Sequence, residues 1–599
     1  MKICIVTTPI RPTPTNFPPL GSMVIIQSLW KVLPKENIKF YHIDYHRYSH
    51  EENIEYFKKN KFDMVGISAV VSTAYAYTKY LSKLIKSIKS DTIVFVGGGL
   101  ATSAKILHRK ANIDFTVIGN GEIIVQNLVR FLVNKKNKYE NLENIKGITF
   151  IDKNDKFRFT GYEHSLPADL LEFPDFSILE EDKSIDYYIS NRYVKLIDSN
   201  ETKNKKSVVI VVAKGCVARC TFCHRFEKGY RVNSNDKVIN YIKFLKKKYD
   251  IDHIAIGDEN FGSYKQQTLD LVKQINSLDL TWTAGGVRAQ TIDSEMLKIW
   301  KKNGCQMITF GIESGSPTML EVMEKKITLE KNIAALKATY EAGLFTTIQL
   351  VIGMPGETDK TINETIDFII NTMDYYPEIF KDKLNYLLST NYAQALPGTP
   401  LYEYAREKGF LGNNMDAEEK YLIDISNKDA YDNDHFINYT QQPLLKVYSW
   451  RYLMNWKVFR EHNKRHLKIN LTKWELFYGI TLMTINKIFK TKINNKLEKS
   501  LNKFINAGWQ NPNFNFTKTT RIIEGVKLLF PWNKYTYPFI SLIIAFRESN
   551  NIKWFFKLIF EHLVWSTKKF NDNDLPKKTL RKIVNIKDND DTIELRKGR

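Results

Sequence analysis

Cysteine is scarce in this chain, at 5 among 599 residues, and histidine numbers only 11. So few thiols in so long a chain exclude a disulfide-stapled secreted scaffold. Long apolar runs are missing too: no uncharged apolar run reaches the roughly 18 to 20 residues that a membrane-spanning helix requires. The opening run Ile3-Cys4-Ile5-Val6 stops at Thr7, short of the apolar core of a signal peptide. No G-x-G-x-x-G follows that run, which removes the dinucleotide-binding fingerprint. What remains is a globular composition, 43% hydrophobic and 26% charged, expected in the cytoplasm and long enough for about two to four domains.

Against that scarcity, three of the five cysteines fall within the eight residues Cys216-Val217-Ala218-Arg219-Cys220-Thr221-Phe222-Cys223. Thiolates this close bind metal, and three of them without an evident fourth suit an iron-sulfur cluster that keeps one iron open. A structural zinc site is the alternative, but zinc wants four tetrahedral ligands, and His224, directly adjacent to Cys223, is badly placed to close that chelate. The other two thiols, Cys4 in the first apolar run and Cys305 in Asn303-Gly304-Cys305-Gln306, read as small packed core residues.

Residues 1–150 alternate short apolar runs with amphipathic stretches such as Tyr77 to Ile88. The runs Lys2 to Thr8, Ile38 to Asp44, Met64 to Ser68, Ile93 to Val96 and Phe115 to Ile118 predict a doubly wound parallel sheet. Ligands bind such sheets outside the carboxyl ends of the strands, where this chain places Leu20 and Gly21, Ser68, Gly97-Gly98-Gly99, and Gly119 with Glu122. Residues 151–205 read as a linker containing Leu171-Glu172-Phe173-Pro174-Asp175. Within 206–415 the rhythm resumes as Val208 to Ala213, His253 to Gly257, Leu280 to Ala284, Met307 to Phe310, Thr347 to Ile352 and Asn385 to Leu388. These units predict a partial (β/α)6 barrel, whose chemistry belongs in the loops after the strands. Those loops carry the cysteines, Asp258-Glu259-Asn260-Phe261, Gly285-Gly286-Val287-Arg288, Gly311-Ile312-Glu313-Ser314-Gly315-Ser316 and Gly353-Met354-Pro355-Gly356-Glu357-Thr358.

The C-x3-C-x2-C spacing resembles the radical S-adenosylmethionine (SAM) superfamily. The resemblance implies a [4Fe-4S] cluster on Cys216, Cys220 and Cys223, SAM on its open iron, and Phe222 beside the adenine. The loops after the fourth and fifth barrel runs resemble the "GxES" and "GxPGET" signatures of the branch that pairs with an upstream cobalamin domain. The loops at Leu20, Gly21, Ser68, Gly97, Gly98, Gly99, Gly119 and Glu122 resemble that domain's cobalamin contacts, and the likeness runs on to Pro397-Gly398-Thr399-Pro400-Leu401-Tyr402. SAM needs a carboxylate for its ammonium or ribose hydroxyls and a cation for its carboxylate. Glu259 or Glu313, and Arg288, supply those types, with Ser314, Gly353 and Glu357 completing the expected set.

Taken together the fold expected is α/β: a Rossmann-like cobalamin-binding domain, a partial barrel, and a mainly α-helical C-terminal region over 416–599. Asp44-Tyr45-His46 does not match the cobalt-ligating histidine motif, because it follows the second strand and has Ser49 where glycine belongs. The resemblance therefore points to a base-off corrinoid with no protein histidine beneath it. A second three-cysteine set in residues 1–150, which methylthiotransferases carry, is missing. The implied reaction is methyl transfer from methylcobalamin to an unactivated carbon after a 5'-deoxyadenosyl radical removes its hydrogen. Oxidative cyclisation or ring rearrangement uses the same layout, and a corrinoid- or cluster-binding regulator is the non-enzymatic reading. A flavodoxin or ferredoxin is the implied low-potential electron donor.

Charge is uneven along the chain: residues 441–599 hold 31 Lys/Arg against 12 Asp/Glu, whereas the rest is nearly neutral at 57 against 54. That region is also rich in tryptophan, with Trp450, Trp456, Trp474, Trp509, Trp532, Trp554 and Trp565. The stretch from Lys553 to Phe570 predicts a helix with a wide apolar face and flanking lysines, which fits either a peripheral contact with an anionic membrane or a bundle packed on the barrel. Nucleic acid is not the expected partner, since no RNA-binding module accompanies the basic residues. The substrate is not identified by these features, and a lipid or other large apolar molecule is the expected class.

Overall fold

Strand β1 (Ile3–Thr7) is buried along its whole length, the pattern of a parallel strand covered on both faces. Its side chains alternate between two cores: Ile3 and Ile5 pack with Met23, Ile26, Val125 and Leu128, while Cys4 and Val6 pack with Leu81, Ile85 and Leu107. The computed structural model describes the chain except for residues 135–140, 165, 171, 191–205, 225–228, 378–386, 427, 429–435, 467–540, 543–551, 567–575 and 584–599.

The first sheet continues with β2 (Ile38–His42), β3 (Met64–Ser68), β4 (Ile93–Gly97), β5 (Phe115–Val117), β6 (Ile148–Ile151) and β7 (Phe157–Phe159), in spatial order β2-β1-β3-β4-β5-β6-β7. The five strands expected from the apolar runs are the parallel ones, in the order of a flavodoxin-like doubly wound sheet. The antiparallel hairpin β6–β7 carries the sheet past the boundary expected at residue 150. From there the chain bridges both halves. Gln27 donates to the carbonyl of Phe173 at 3.1 Å, and Tyr241 of the second half donates to that of Pro174 at 2.7 Å.

The second sheet holds β8 (Ser207–Ile210), β11 (His253–Ile256), β12 (Thr281–Val287), β13 (Cys305–Glu313), β14 (Phe345–Ile352) and β15 (Leu388–Tyr392). All six are parallel and neighbour one another in chain order, the arrangement of a partial barrel. The sixth strand starts where the expected run Asn385 to Leu388 ends. Its buried residues are Leu388, Thr390 and Tyr392, so a polar alternation hid it from a search for continuous apolar residues. Ala213, expected in the first barrel strand, lies instead in a short ribbon in which β9 (Ala213–Lys214) pairs antiparallel with β10 (Arg231–Val232). This ribbon closes the base of the cysteine loop.

Beyond the barrel, the helix Met415–Asp424 returns to the first domain, where Glu419 accepts a 2.6 Å hydrogen bond from Tyr75 and pairs with Lys79. The helix Leu444–His466 packs on Asp359–Thr372, with Trp450 buried and donating to Asp359 at 2.8 Å. Helix Ile552–Ser566 lies on that helix in turn. One face of these helices therefore packs on the protein. Trp474, Trp509, Trp532 and Phe570 lie outside the described residues, as do the side chains of Trp456 and Trp565. Among the described residues, no helix is long and apolar enough to cross a membrane.

Candidate active site

The cysteine loop leaves β9 at the carboxyl end of the barrel. Cys216 and Cys220 are buried with Ala218 and the ring of Phe222, whereas Cys223 is exposed. Thr221, between the second and third cysteines, pins the loop. Its amide donates to the carbonyl of Met323 at 2.9 Å, its hydroxyl to that of Val322 at 3.0 Å, and its own carbonyl accepts from Leu401 at 3.0 Å. Among the described residues, no group of three His, Cys, Asp or Glu side chains is gathered tightly enough to hold a single metal ion. A cubane cluster makes a different demand, because each thiolate binds its own iron and the ligands are spread around a loop. Three thiols on one pinned loop, two of them in an apolar bed, fit that demand. Cys305 and Cys4 are buried in their strands as expected of core thiols, and burial pushes the Cys4 thiol up to about 12.

Beside this loop lies a half-buried charged cluster that the sequence only half disclosed. Lys325 Nζ meets Glu313 Oε1 at 2.9 Å, and Arg288 donates to the Lys325 carbonyl at 3.3 Å and to Gln290 at 2.9 Å. Burial alone would depress the Lys325 ammonium, but the negative charge of Glu313, with that of a Cys220 thiolate, holds its pKa above the ordinary lysine value. Glu313 has φ of 68° and sits at a register shift between β13 and β14. The bulge and left-handed backbone turn its side chain toward Lys325. Gly311 leaves the space this pair occupies: a Cβ there would lie 2.4 Å from Glu313 Oε1. Lys325 belongs to no motif in the sequence, and only its fold-back onto Glu313 reveals it.

The remaining expected SAM residues have other uses or neighbours. Ser314 is buried and bonded to Thr365 at 3.1 Å, and Glu357 accepts from the amides of Gly353 and Met354 within its own turn. Burial pushes the Glu357 carboxyl up to about 8 despite those two amides. Glu259 is half-buried at the end of β11, but its neighbours are more informative. Asp258 accepts from the amides of Val212 and Ala213 at 2.8 and 3.2 Å, which steers the chain into the cysteine loop. Asn260 is fully buried with neither end of its amide hydrogen-bonded, an arrangement that asks for a polar ligand.

On the first domain, Gly21, Gly97 and Gly119 border open space: a Cβ at any of them would meet nothing within 4 Å. That is room for a large ligand to approach the backbone at the carboxyl ends of the strands. Ser68 is half-buried there at the end of β3, and Leu20 packs against the core at the start of its helix. Gly98 and Gly99 are close-packed instead. A Cβ on Gly98 would lie 2.4 Å from the Ala69 carbonyl oxygen, and one on Gly99 would lie 2.1 Å from the ring of His224. His224 follows the third cysteine of the loop, so the two halves meet here. Burial lowers its pKa to about 4, with the backbones of Pro397 and Gly99 beside the ring.

Glu122 makes the second bridge between halves. Expected as a cobalamin contact, its carboxylate pairs with Lys214, two residues before Cys216. Burial would raise the Glu122 pKa, but Lys214 and nearby Arg231 hold it below the ordinary value. A third contact comes from Phe17, whose ring fills the space left at Gly257, where a Cβ would meet Phe17 Cζ at 2.7 Å. His46 is occupied elsewhere, with its Nε2 at 3.2 Å from Asp182 Oδ1. The histidine of Asp44-Tyr45-His46 is thus engaged with the linker.

Comparison with known proteins agrees with this two-part site. Residues 14–129 match the B12 binding domain and residues 210–369 match the Radical SAM superfamily. An uncharacterized methyltransferase of Pyrococcus horikoshii is 29% identical over 429 residues, covering 69% of this chain and 84% of its own. An anaerobic magnesium-protoporphyrin IX monomethyl ester cyclase of Rubrivivax gelatinosus is 25% identical over 63% of this chain and 64% of its own length. The cobalamin-dependent SAM radical enzyme OxsB, solved with aqua-cobalamin and SAM bound, shares the fold at a TM-score of 0.54 and 14% identity, over 94% of this chain and 83% of its own. The SAM methyltransferase TsrM from Kitasatospora setae, solved with tryptophan and a SAM analogue, aligns at a TM-score of 0.51 and 17% identity over 69% of this chain and 77% of its own. With both domains present and in this order, the chain joins a B12 binding domain to a radical SAM domain, the pairing on which a [4Fe-4S] cluster, SAM and cobalamin act together.

Proposed function

We propose that this enzyme methylates an unactivated carbon of a large apolar substrate. The observation that carries the reading is the abutment of the two halves: His224 on Gly99, Lys214 on Glu122 and Phe17 on Gly257. A carbon that first loses a hydrogen and then receives a methyl group must be reached from both cofactors in one cavity, so the two sites have to share a wall. When bound, the cofactors supply the hydrogen abstraction and the methyl group.

The chain's own residues do the positioning. Cys216, Cys220 and Cys223 would hold the cluster, Thr221 fixes their loop, and Arg288, Glu313 and Lys325 offer the charges that the amino-acid end of SAM requires. Phe222, packed against the two buried cysteines and the apolar core that includes Met323 and Leu401, would flank the adenine. Gly21, Gly97 and Gly119 would leave the corrin ring its room. Phe17, Val70 and Val217 are exposed apolar side chains on the loops of this junction, which suits an apolar substrate.

A second reading, oxidative cyclisation, is favoured by the cyclase relative. Anaerobic assay of the reconstituted protein with SAM, hydroxocobalamin and a strong reductant tests both. Formation of 5'-deoxyadenosine together with a product heavier by one methylene supports methylation. Loss of hydrogen with no added carbon supports cyclisation, and no 5'-deoxyadenosine from a cluster-replete protein rejects both.

The C-terminal helix supports a peripheral contact with anionic lipid. Ile552, Phe556, Phe560 and Leu563 are all more than half exposed and share one face, while Trp554 and Leu558 on the other face are buried. Lys553 and Lys557 border the exposed face, in the region that carries the chain's positive surplus.

A further inference from the structure

The turn that presents Lys325 is strained. Glu324 and Lys326, on either side of it, both have φ of 53°, left-handed backbone that non-glycine residues adopt only when surrounding structure holds them there. The holding contacts come from two distant parts of the chain. From the cysteine loop, Thr221 bonds the Met323 and Val322 carbonyls, and Arg219 Nε lies 3.6 Å from Glu324 Oε1. From the far C-terminus, Arg581 Nε donates to Glu324 Oε2 at 3.1 Å and Thr579 Oγ1 to the same oxygen at 3.3 Å. Arg581 also reaches the Arg219 carbonyl at 3.5 Å.

The C-terminal segment is itself anchored. Leu580 is fully buried in the core that includes Met323, Met354 and Leu401. The Pro576 carbonyl presses on Gly356 so closely that a Cβ there would lie 2.4 Å from its oxygen. Glu324 therefore stands as a hub between the cluster loop, the Lys325 turn and the end of the chain.

We propose that residues 576–583 are part of the SAM site, clamping the turn that delivers Lys325 to Glu313 beside Cys220. Arg581 is a positioning residue that acts through Glu324. The inference rests on the reading of Lys325, Glu313 and Arg288 as the place for the amino-acid end of SAM. It assigns a role in cofactor binding to a segment that follows the matched radical SAM residues by about two hundred positions.

The test is reductive SAM cleavage by the full-length, cluster-reconstituted protein, read as 5'-deoxyadenosine, in parallel with titration of SAM against the electron paramagnetic resonance spectrum of the reduced cluster. Arg581→Gln is expected to raise the KM for SAM about tenfold, and the SAM concentration that perturbs the cluster signal by the same factor, with kcat and iron content little changed. Arg581→Lys, which keeps the cation, is expected to recover most of that loss. Glu324→Gln should give a similar shift, and the double variant no more than either single one. A KM within twofold of the parent in Arg581→Gln, or additive losses in the double variant, would overturn the clamp. So would a joint loss of iron, SAM response and melting temperature that Arg581→Lys fails to restore. Failure of the parent protein to cleave SAM at all would instead overturn the reading of the site, and the clamp with it.

Discussion

The ring of His224 lies against the Cα of Gly99, close enough that a Cβ on Gly99 would stand 2.1 Å from its Cε1 atom. One residue follows the three-cysteine loop and the other lies in the loop after β4 of the first domain, so the absent side chain brings the two halves into register. The Val70 carbonyl oxygen would also lie 2.7 Å from the added carbon, which leaves backbone as well as ring to displace. Gly99→Ala is therefore expected to cost about 1–3 kcal/mol through overpacking. It should also shift the cysteine loop, so that iron content after anaerobic reconstitution falls. A variant with parental melting temperature and iron content would show that the contact is loose.

Glu122 separates two roles that predict different measurements. If its carboxylate serves Lys214, then Glu122→Gln and Lys214→Met each lose about 1–3 kcal/mol of stability, and the double variant loses less than their sum. Corrinoid affinity, followed by absorbance titration of the isolated variants, should then change less than twofold. A corrinoid-binding defect confined to Glu122→Gln, with Lys214→Met unaffected, would return Glu122 to the cobalamin contacts.

Much of this arrangement was legible in the chain because its signals are local. The cysteine spacing, the short apolar runs of β1 to β5, and the glycine-rich loops after β4, β13 and β14 each occupy fewer than about ten residues, the range over which periodicity carries information. What escaped depends on the fold. Lys325 acquires meaning only when a strained turn folds it onto Glu313, and His224, rejected as a zinc ligand, proves to be the contact between domains. Two carboxylates in motif loops, Glu122 and Glu357, also have protein partners that spacing does not disclose, Lys214 for one and the Gly353 and Met354 amides for the other. The sixth strand was misplaced for a simpler reason, since its alternating Leu-Ser-Thr-Asn-Tyr does not look apolar.

Asp258 predicts a pH dependence. Burial pushes its carboxyl up to about 7; the amides of Ala213 and Val212 pull it down and the Glu259 carboxylate adds to the rise. Because its folded pKa lies above the unfolded value of about 4, the folded state binds more protons across that interval. Its contribution is then most favourable below about pH 4, declines as pH rises, and has reached its full penalty above about pH 7. Asp258→Asn keeps an oxygen for the two amides and removes the titration. Thermal melts of the apoprotein between pH 5 and 8 should show a smaller decline in the variant than in the parent. Equal slopes would mean that Asp258 is already ionised across that range.

Helix Ile552–Ser566 carries an exposed apolar stripe. Phe556 and Phe560 are 61% and 68% exposed and follow one another at helical spacing, and such rings gain only if a partner covers them. An anionic bilayer would bury both rings while Lys553 and Lys557 meet its headgroups, and each buried aromatic is worth about 1.5–3 kcal/mol. Replacing both phenylalanines by serine should therefore reduce sedimentation with phosphatidylserine-containing vesicles at least a hundredfold in partition coefficient, about 3 kcal/mol at the low end of that range. Iron content and 5'-deoxyadenosine formation should stay at parental levels, because Trp554 and Leu558 keep the opposite face of the helix packed on the protein. Vesicle binding that survives the double substitution but vanishes in high salt would place the contact on the lysines alone. No binding by the parent would reject the lipid contact and leave the stripe free for another partner.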